Sequence, residues 1–465
     1  MSLLVQIASY LPSIREPEKE QSLKEMLTWT GIVLLLYFTL GSIDVFGANS
    51  AAVEQALQSL QQYQTLTGAS IGTIITLGIT PIVTSSIVLQ MVVGSEIVNW
   101  NTNSQEGKQK FQSAQKVLAY ALSIVMAVGY AASVFGAGIG APATMLLVSG
   151  QIAIGGILII LMDDLIQKWG FGSGTGLFIA AGVSQAIYVR AISILDGTGG
   201  YVGVANEAAG AVPQFIASGQ ISSLVPILST IVVFGVVVYL QAMRVEIPLT
   251  FGNVRGFGQK WPLKFLYTSV MPVILIAALI QNFQIIGTTL AGQNGCSILG
   301  CVSQGQAQSG FIALLQAPRG LTESIINGNL TLFGTGGTIT GSVLHILFYL
   351  AVYIFGSILF SIFWMKTSGQ DADSVADQIQ NTGMKVPGFR KDKRVIKKVL
   401  NRYIPGLTVL SGATIGALAG ISNMLGAAGG GTGILLTVMI IYQMYEELAQ
   451  KHMEELHPAM KNFMQ

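Results

Sequence analysis

Residues 72–97 read GTIITLGITPIVTSSIVLQMVVGSEI. The stretch carries a single charge, Glu96, and is long enough to cross about 30 Å of hydrocarbon as a helix. Its Pro81 interrupts the span by removing one backbone hydrogen bond. Ile79 and Val83, four residues apart, share one face. Runs of this kind recur along the chain. Of 465 residues, 51% are hydrophobic and 10% charged, with 55 glycines and a mean hydropathy of +0.61. A soluble protein carries about 25% charge. A length that would suit two or three soluble domains therefore reads as a polytopic membrane protein. Lipid offers backbone polar groups no partner, so the spans are helices and the fold class is all-α.

Ten spans are expected, over residues 26–46, 70–93, 115–136, 142–162, 172–194, 222–242, 265–287, 343–365, 405–427 and 432–449. Residues 1–25 precede them. There the charges follow a short apolar piece, the wrong order for a cleavable leader, so the segment reads as amphipathic and surface-lying. The loops 94–114, 243–264 and 366–404 are basic, and the last holds nine Lys or Arg, including FRKDKRVIKK. Placing the N-terminus in the cytoplasm puts 22 of the 24 Lys and Arg on that side or at its edge, with Arg190 and Arg319 the exceptions. Such asymmetry predicts orientation, and an even span count puts the tail, 450–465, in the cytoplasm as well. The spans divide into halves 26–194 and 222–449. The first begins inside and the sixth outside, so the halves are expected to be inverted copies around a central site. No clear identity between them is visible.

Much chemistry is missing. The three histidines are His345, His452 and His457. None belongs to an H-E-x-x-H pair, and His345 reads as interfacial. No cofactor or metal site is expected, and no nucleophile–base pair supports a hydrolase. The glycine-rich GFGSGTG at 170–176 lacks the Lys-Ser/Thr of a phosphate loop and reads as tight backbone opening a span. GAAGGGTG at 426–433 reads as a turn between spans nine and ten. Gly78 and Gly94 read as close helix contacts. Asp44, Glu96, Asp163 and Asp164 lie near span ends, which weighs against a charge-coupled carrier. Cys296 and Cys301, the only cysteines, are too few for a zinc site. They are candidates for a disulfide if their loop faces outside, and the alternative of two free thiols stays open. Pro272 in span seven parallels Pro81, read either as mobile helices or as ordinary packed kinks.

Residues 50–68, SAAVEQALQSLQQYQTLTG, are too polar to span and carry one charge, Glu54. Val53, Leu57, Leu60 and Leu66 recur at helical spacing, so a short helix is expected between two spans.

LGITPIVTSSIVLQ at 77–90 and MDDLIQKWGFGSGTGLFIAAGVSQ at 162–185 resemble the signature stretches of the SecY family, the protein-conducting channels of the general secretory pathway. MRVEIPL at 243–249, GFRKDKR at 388–394, NRYIPGLTVL at 401–410 and GGGTGILLTV at 429–438 resemble its archaeal branch. The match runs from about Trp29 to the tail.

The resemblance implies a clamshell of two inverted five-helix halves around a central pore. Polypeptides would cross through it or leave sideways between spans two and seven. It makes residues 50–68 a plug that blocks the pore at rest. It places Ile79, Val83, Thr175, Ile179, Ile274 and Leu436 in an apolar constriction ring, which seals by dewetting. Thr175 departs from the family pattern, where a larger apolar residue is usual. Thr84 and Asn282 match polar positions of the lateral gate. Arg255, Lys260, Arg390, Lys391 and Arg394 would dock the translating ribosome through RNA phosphates. Implied partners are SecE-type and SecG/beta-type single-span subunits, the ribosome, the nascent polypeptide with its signal sequence, and membrane lipid. The implied site of action is the cell membrane. The competing expectation is an ion-coupled small-solute carrier with five-plus-five inverted repeats. The absence of midplane acids, the plug-like 50–68 segment and the basic loops favour the channel. A role for the external loop 288–342 is not read from the sequence.

Overall fold

The computed structural model describes residues 3–18, 21–46, 72–94, 97–98, 100, 104–131, 142–193, 210–219, 221–251, 258–268, 271–291, 295–297, 300–303, 306–318, 343–381, 384–385, 393–427 and 429–456. The plug-like stretch, with Val53, Leu57, Leu60 and Leu66, lies outside them, as do Arg255, Arg390 and Lys391. Most of loop 288–342 also lies outside.

Long helices dominate. They are α1 (Leu3–Tyr10), α2 (Leu23–Leu40), α3 (Thr80–Gly94), α4 (Gln105–Tyr130), α5 (Pro142–Trp169), α6 (Gly174–Ile192), α7 (Ala211–Ser218) and α8 (Val225–Ala242). After the strands β1 (Arg244–Phe251) and β2 (Gly258–Lys264) comes α9 (Met271–Ala291). Then follow β3 (Cys296–Ser297), β4 (Gly300–Ser303), β5 (Gln306–Ser309), α10 (Gly310–Leu314), α11 (Val343–Thr367), α12 (Ala372–Asn381), β6 (Met384–Lys385), α13 (Lys393–Met424) and α14 (Gly431–Leu456). Each expected span has its helix. Among the described residues, seven helices are long and apolar enough to cross a bilayer unaided. The spans at α3 and α9 are shorter apolar helices, and α14 carries Glu446, Glu447 and Lys451 in its second half. To the all-α expectation the structure adds two small three-stranded sheets, β2-β1-β6 and β3-β4-β5.

Local chemistry sets several helix starts. Ser22 and Glu25 form a reciprocal capping box at α2, satisfying two donors that a helix start leaves open. Pro81 and Pro272 do not interrupt helices, contrary to the sequence reading. Each is the second residue of its helix, where a missing N–H costs nothing and a fixed φ favours the first turn. Ahead of Pro81 the chain runs in successive turns. Thr76, Gly78 and Thr80 donate to the carbonyls three residues back, at 2.9–3.1 Å. Gly78 has φ +51°, so it serves a left-handed turn rather than a close helix contact. Backbone bonds Ile74 N–H to Ile43 O (3.0 Å) and Val45 N–H to Gly72 O (2.8 Å) fasten this stretch to the end of α2.

Two of the three basic loops carry regular structure among the described residues. Residues 244–251 and 258–264 form the antiparallel β1–β2 hairpin, with Arg244 opposite Lys264 and Pro248 opposite Lys260. At its base Arg244 (3.4 Å) and Lys264 both pair with Glu446 of α14. Loop 366–404 is mostly helix, a correction to the expected boundary at 405. Helix α13 starts at Lys393, has Pro405 inside and runs for 32 residues, or about 48 Å. It outreaches the bilayer, and its first turns pack Ile396, Leu400 and Ile404 against Val375, Ala376 and Ile379 of α12. Lys397 pairs with Asp373 at 2.6 Å.

The segment after α1 is a strap across α4 and α5. Ile14 N–H donates to Asp164 (2.9 Å), Lys168 Nζ to Ile14 O (2.6 Å), Trp169 Nε1 to Arg15 O (2.7 Å) and Tyr120 OH to Pro12 O (3.0 Å). Asp164 also faces Lys168 at 3.0 Å and Lys116 at 3.9 Å. Replacing Asp164 by alanine should leave Ile14 N–H and two lysines without their shared acceptor. Trypsin should then remove an N-terminal tag at the exposed Arg15 several-fold faster while the thermal midpoint changes little. Unchanged cleavage would mean the strap is held elsewhere.

At the other end of α9, Cys296 and Cys301 form a disulfide across β3 and β4. The chain then packs back on the helices. Ile312 meets Gly287 of α9, and Gln284 Nε2 donates to Leu315 O at 2.9 Å. His345, in the first turn of α11, is buried, with its ring 3.0 Å from Gln316 O.

Candidate functional site

The helices α3, α6, α9 and α14 meet in one apolar core. Ile79 sits at the last turn before α3 and its carbonyl accepts from Val83 N–H at 3.1 Å, so the two share a face. Ile79, Val83, Ile179 and Leu436 are buried in this core, and Ile274 packs against it. Five of the six expected ring residues, from four helices, thus belong to the main apolar core, which also takes in residues as far apart as Val33, Val233 and Tyr349.

The register of α6 against α14 gives the level of that cluster. Gly172 faces Met444 and Gly176 faces Ile440, while Gly429, just before α14, faces Val183 and Ile187. Four residues forward on one helix are four back on the other, so the pair is antiparallel. Continuing the register puts Leu436 opposite Ala180, beside Ile179. These two residues therefore stand at the same height.

Thr175 is placed differently. Its N–H (2.7 Å) and its hydroxyl (3.0 Å) both donate to Asp163 Oδ1. The carboxylate also accepts from Gln167 at 2.8 Å and is buried at the end of α5. Ser173 caps the same helix by accepting from Gly176 N–H. The sequence reading saw this stretch as backbone opening a span, and the structure supplies the side chains that hold it open.

The second glycine-rich stretch has the same design. After α13 the chain turns through Gly426, Gly429 and Gly430, all at positive φ (65°, 84° and 78°), where a side chain would be strained. At the start of α14, Thr432 N–H donates to Asn423 Oδ1 (3.0 Å), and Asn423 Nδ2 reaches Thr432 Oγ1 (2.6 Å). A visible signal for this match exists. GTGLFI at 174–179 and GTGILL at 431–436 open their helices with the same Gly-Thr-Gly, each with an expected ring residue at the sixth position. TPIV at 80–83 and MPVI at 271–274 open α3 and α9 with an expected ring residue at the fourth. The sequence reading found no identity between the halves because these matches are four to six residues long.

The gate positions are on packed helices. Thr84 Oγ1 is buried and makes no hydrogen bond, and Asn282 is half-buried on α9. No hydrogen bond joins the two. Of the expected docking residues that are described, Lys260 lies on β2, and Arg394 is exposed in the first turn of α13. No group of residues suited to a metal ion occurs among the described residues.

Apolar helices packed on one aliphatic core, with basic strands and a basic helix start carried beyond them, define a polytopic helical membrane protein. The chain belongs to the SecY family. The SecY family pattern matches residues 73–445. The protein translocase subunit SecY of Methanocaldococcus jannaschii is 43% identical over 461 residues, covering 99% of this chain and 98% of the relative. A solved structure concerned with how the SecY plug domain stabilises the closed translocation channel superposes with a TM-score of 0.81 at 41% identity, covering 98% of this chain and 99% of that one. Sec61 in the canine ribosome-channel complex from the endoplasmic reticulum gives 0.79 at 42% identity, with the same coverage.

Proposed function

We propose that this chain is the pore-forming subunit of a protein translocase. It conducts secretory polypeptides through the level of Ile79, Val83, Ile179, Ile274 and Leu436, and releases apolar segments sideways between α3 and α9. What supports this is the apolar core that α3, α6, α9 and α14 share, with Ile179 and Leu436 at one height in the register of α6 against α14. An apolar layer excludes ions by dewetting yet binds no particular side chain, so any sequence can slide through. A solute carrier would need polar ligands at that level. Sideways release follows membrane partition: each central Leu gains roughly 0.3–0.6 kcal/mol and each Arg or Asp costs about 2.5–3.5. Thr84, with its unpaired hydroxyl, and Asn282 serve the gate. Residues 50–68 are the plug, with Val53, Leu57, Leu60 and Leu66 as its seated face.

The basic end faces the cytoplasm in this reading, with both termini on that side of the cell membrane. Translating ribosomes dock there on the hairpin and on the start of α13, through Arg255, Lys260, Arg390, Lys391 and Arg394. The ribosome-bound relative supports this. SecE-type and SecG/beta-type subunits complete the complex, and no catalytic step belongs to this chain.

A photo-crosslinker at Ile79, in the complete complex engaged with a stalled ribosome–nascent chain, tests the reading. The expected result is a crosslink to the nascent chain that depends on its signal sequence. Bound ribosomes without that crosslink, with control positions on the same complex reacting, would overturn it.

A further inference from the structure

The two glycine-rich helix starts have a role that the pore reading leaves unused. Asp163 at the end of α5 holds the first turn of α6 through Thr175, and Asn423 at the end of α13 holds the first turn of α14 through Thr432. In each case the threonine is the second residue of its helix. Each donates its backbone N–H to the side chain of the preceding helix, and each has its hydroxyl in the same contact. A ring residue follows four positions later in both, Ile179 after Thr175 and Leu436 after Thr432. Four residues are one turn, about 6 Å along the axis.

The antiparallel register places these two clasps at opposite ends of the α6–α14 pair, with the ring level between them. Both lie inside the protein. Asp163 is 7% exposed and Thr432 0%. Asn423 is backed by two buried tyrosines, donating to Tyr349 OH at 3.1 Å and Tyr353 OH at 3.4 Å. Asp163 is backed by Gln167.

We infer that Asp163–Thr175 and Asn423–Thr432 are matched positioning clasps that set the height and rotation of the two ring residues Ile179 and Leu436, and so the tightness of the resting seal. The inference rests on the channel reading above. A glycine-rich start cannot fix a helix by its own side chains, since Gly174, Gly176, Gly431 and Gly433 have none. A slip or rotation of either helix would misplace its ring residue against the other three helices. The clasp threonines remove that freedom. This also accounts for Thr175, the polar member of the expected ring. Its hydroxyl is committed to Asp163.

The test separates the two roles of Thr175. Thr175→Val keeps the shape and deletes the hydroxyl. If the side chain lined the ring, valine would make the ring more apolar and lower the resting ion leak. If it is a clasp, the leak rises, by about three- to tenfold for the loss of one internal hydrogen bond. The measurement is resting conductance of the purified complex in planar bilayers, for Thr175→Val, Thr175→Ser and Thr432→Val. A raised leak in both valine variants, with Thr175→Ser close to the parent and every variant eluting as a folded, monodisperse complex, is expected. A lowered or unchanged leak in Thr175→Val overturns the clasp. The Ile79 crosslink, run on the same preparations, reports separately on the channel reading: its loss in the parent complex would sink that reading whatever the leak.

Discussion

Gly155→Leu should prevent the chain from folding into a stable channel. Helix α5 passes so close to residues 72–79 at this point that a Cβ on Gly155 would fall on the Ile74 carbonyl oxygen and lie 2.7 Å from its carbon. The neighbour is backbone, and it cannot retreat. Ile74 is bonded to Ile43 on one side, and Gly72 to Val45; both tie the turn segment to α2. Overpacking a core by a few methylenes costs about 1–3 kcal/mol when side chains can shift. Here the whole turn segment must move, so the cost should reach or exceed the top of that range. The displacement would also reach Ile79, five residues on. The expected result is loss of the monodisperse fraction in detergent and a strongly lowered thermal midpoint. Gly150→Leu, on the same helix, is the control. A Cβ there meets nothing within 4 Å, and the variant should behave as the parent. Equal behaviour of the two variants would mean that the close approach at Gly155 carries no weight.

How much of this was readable in advance depends on the range over which each feature is determined. Spans are determined locally: some 20 apolar residues have one outcome in lipid, and each expected span has its helix. What failed was anything fixed by a partner far away in the chain. Pro81 looked like a kink because the apolar run begins before it. The helix begins at Thr80 only because residues 72–79 are spent in turns tied to the end of α2. The first turns of α13 were hidden in a basic run that reads as loop. They are helical because Ile396, Leu400 and Ile404 find α12 to pack on, although their spacing of four was in the sequence. Asp163 and Asp164 were read together as edge acids, yet they do unrelated work. One opens α6 through a residue 12 positions on, and the other holds Ile14 across 150 residues of chain. The repeated Gly-Thr-Gly at 174–176 and 431–433 was in plain view. It acquires meaning only once α6 and α14 are known to run antiparallel with their ring residues at one height.

Phe178→Ala should cost about 3 kcal/mol of stability, at the lower end of the range for emptying a buried aromatic site. Phe178 is fully buried, and its ring stacks on Tyr37 of α2 at 4.9 Å with an interplanar angle of 19°. It joins α2 to α6 immediately before Ile179. In water-soluble proteins the cost of such a deletion combines lost transfer energy with lost packing. Between helices in a bilayer the transfer part shrinks, because lipid is as apolar as the protein core. What remains is the loss of the many close contacts around the ring and the cavity left behind. Helices held on several sides cannot collapse into that space, since α6 is clasped at its start and fastened to α14 along its length. The prediction is read as a fall in thermal midpoint of the purified complex, with Phe38→Ala beside it. Phe38 meets the same Tyr37 edge-on at 5.4 Å but is 40% exposed, so its loss should cost under about 1 kcal/mol. If the two variants fell equally, the stability of this region would lie in aromatic contact with Tyr37 as such. A larger fall for Phe178→Ala locates it in the packed seam between α2 and α6.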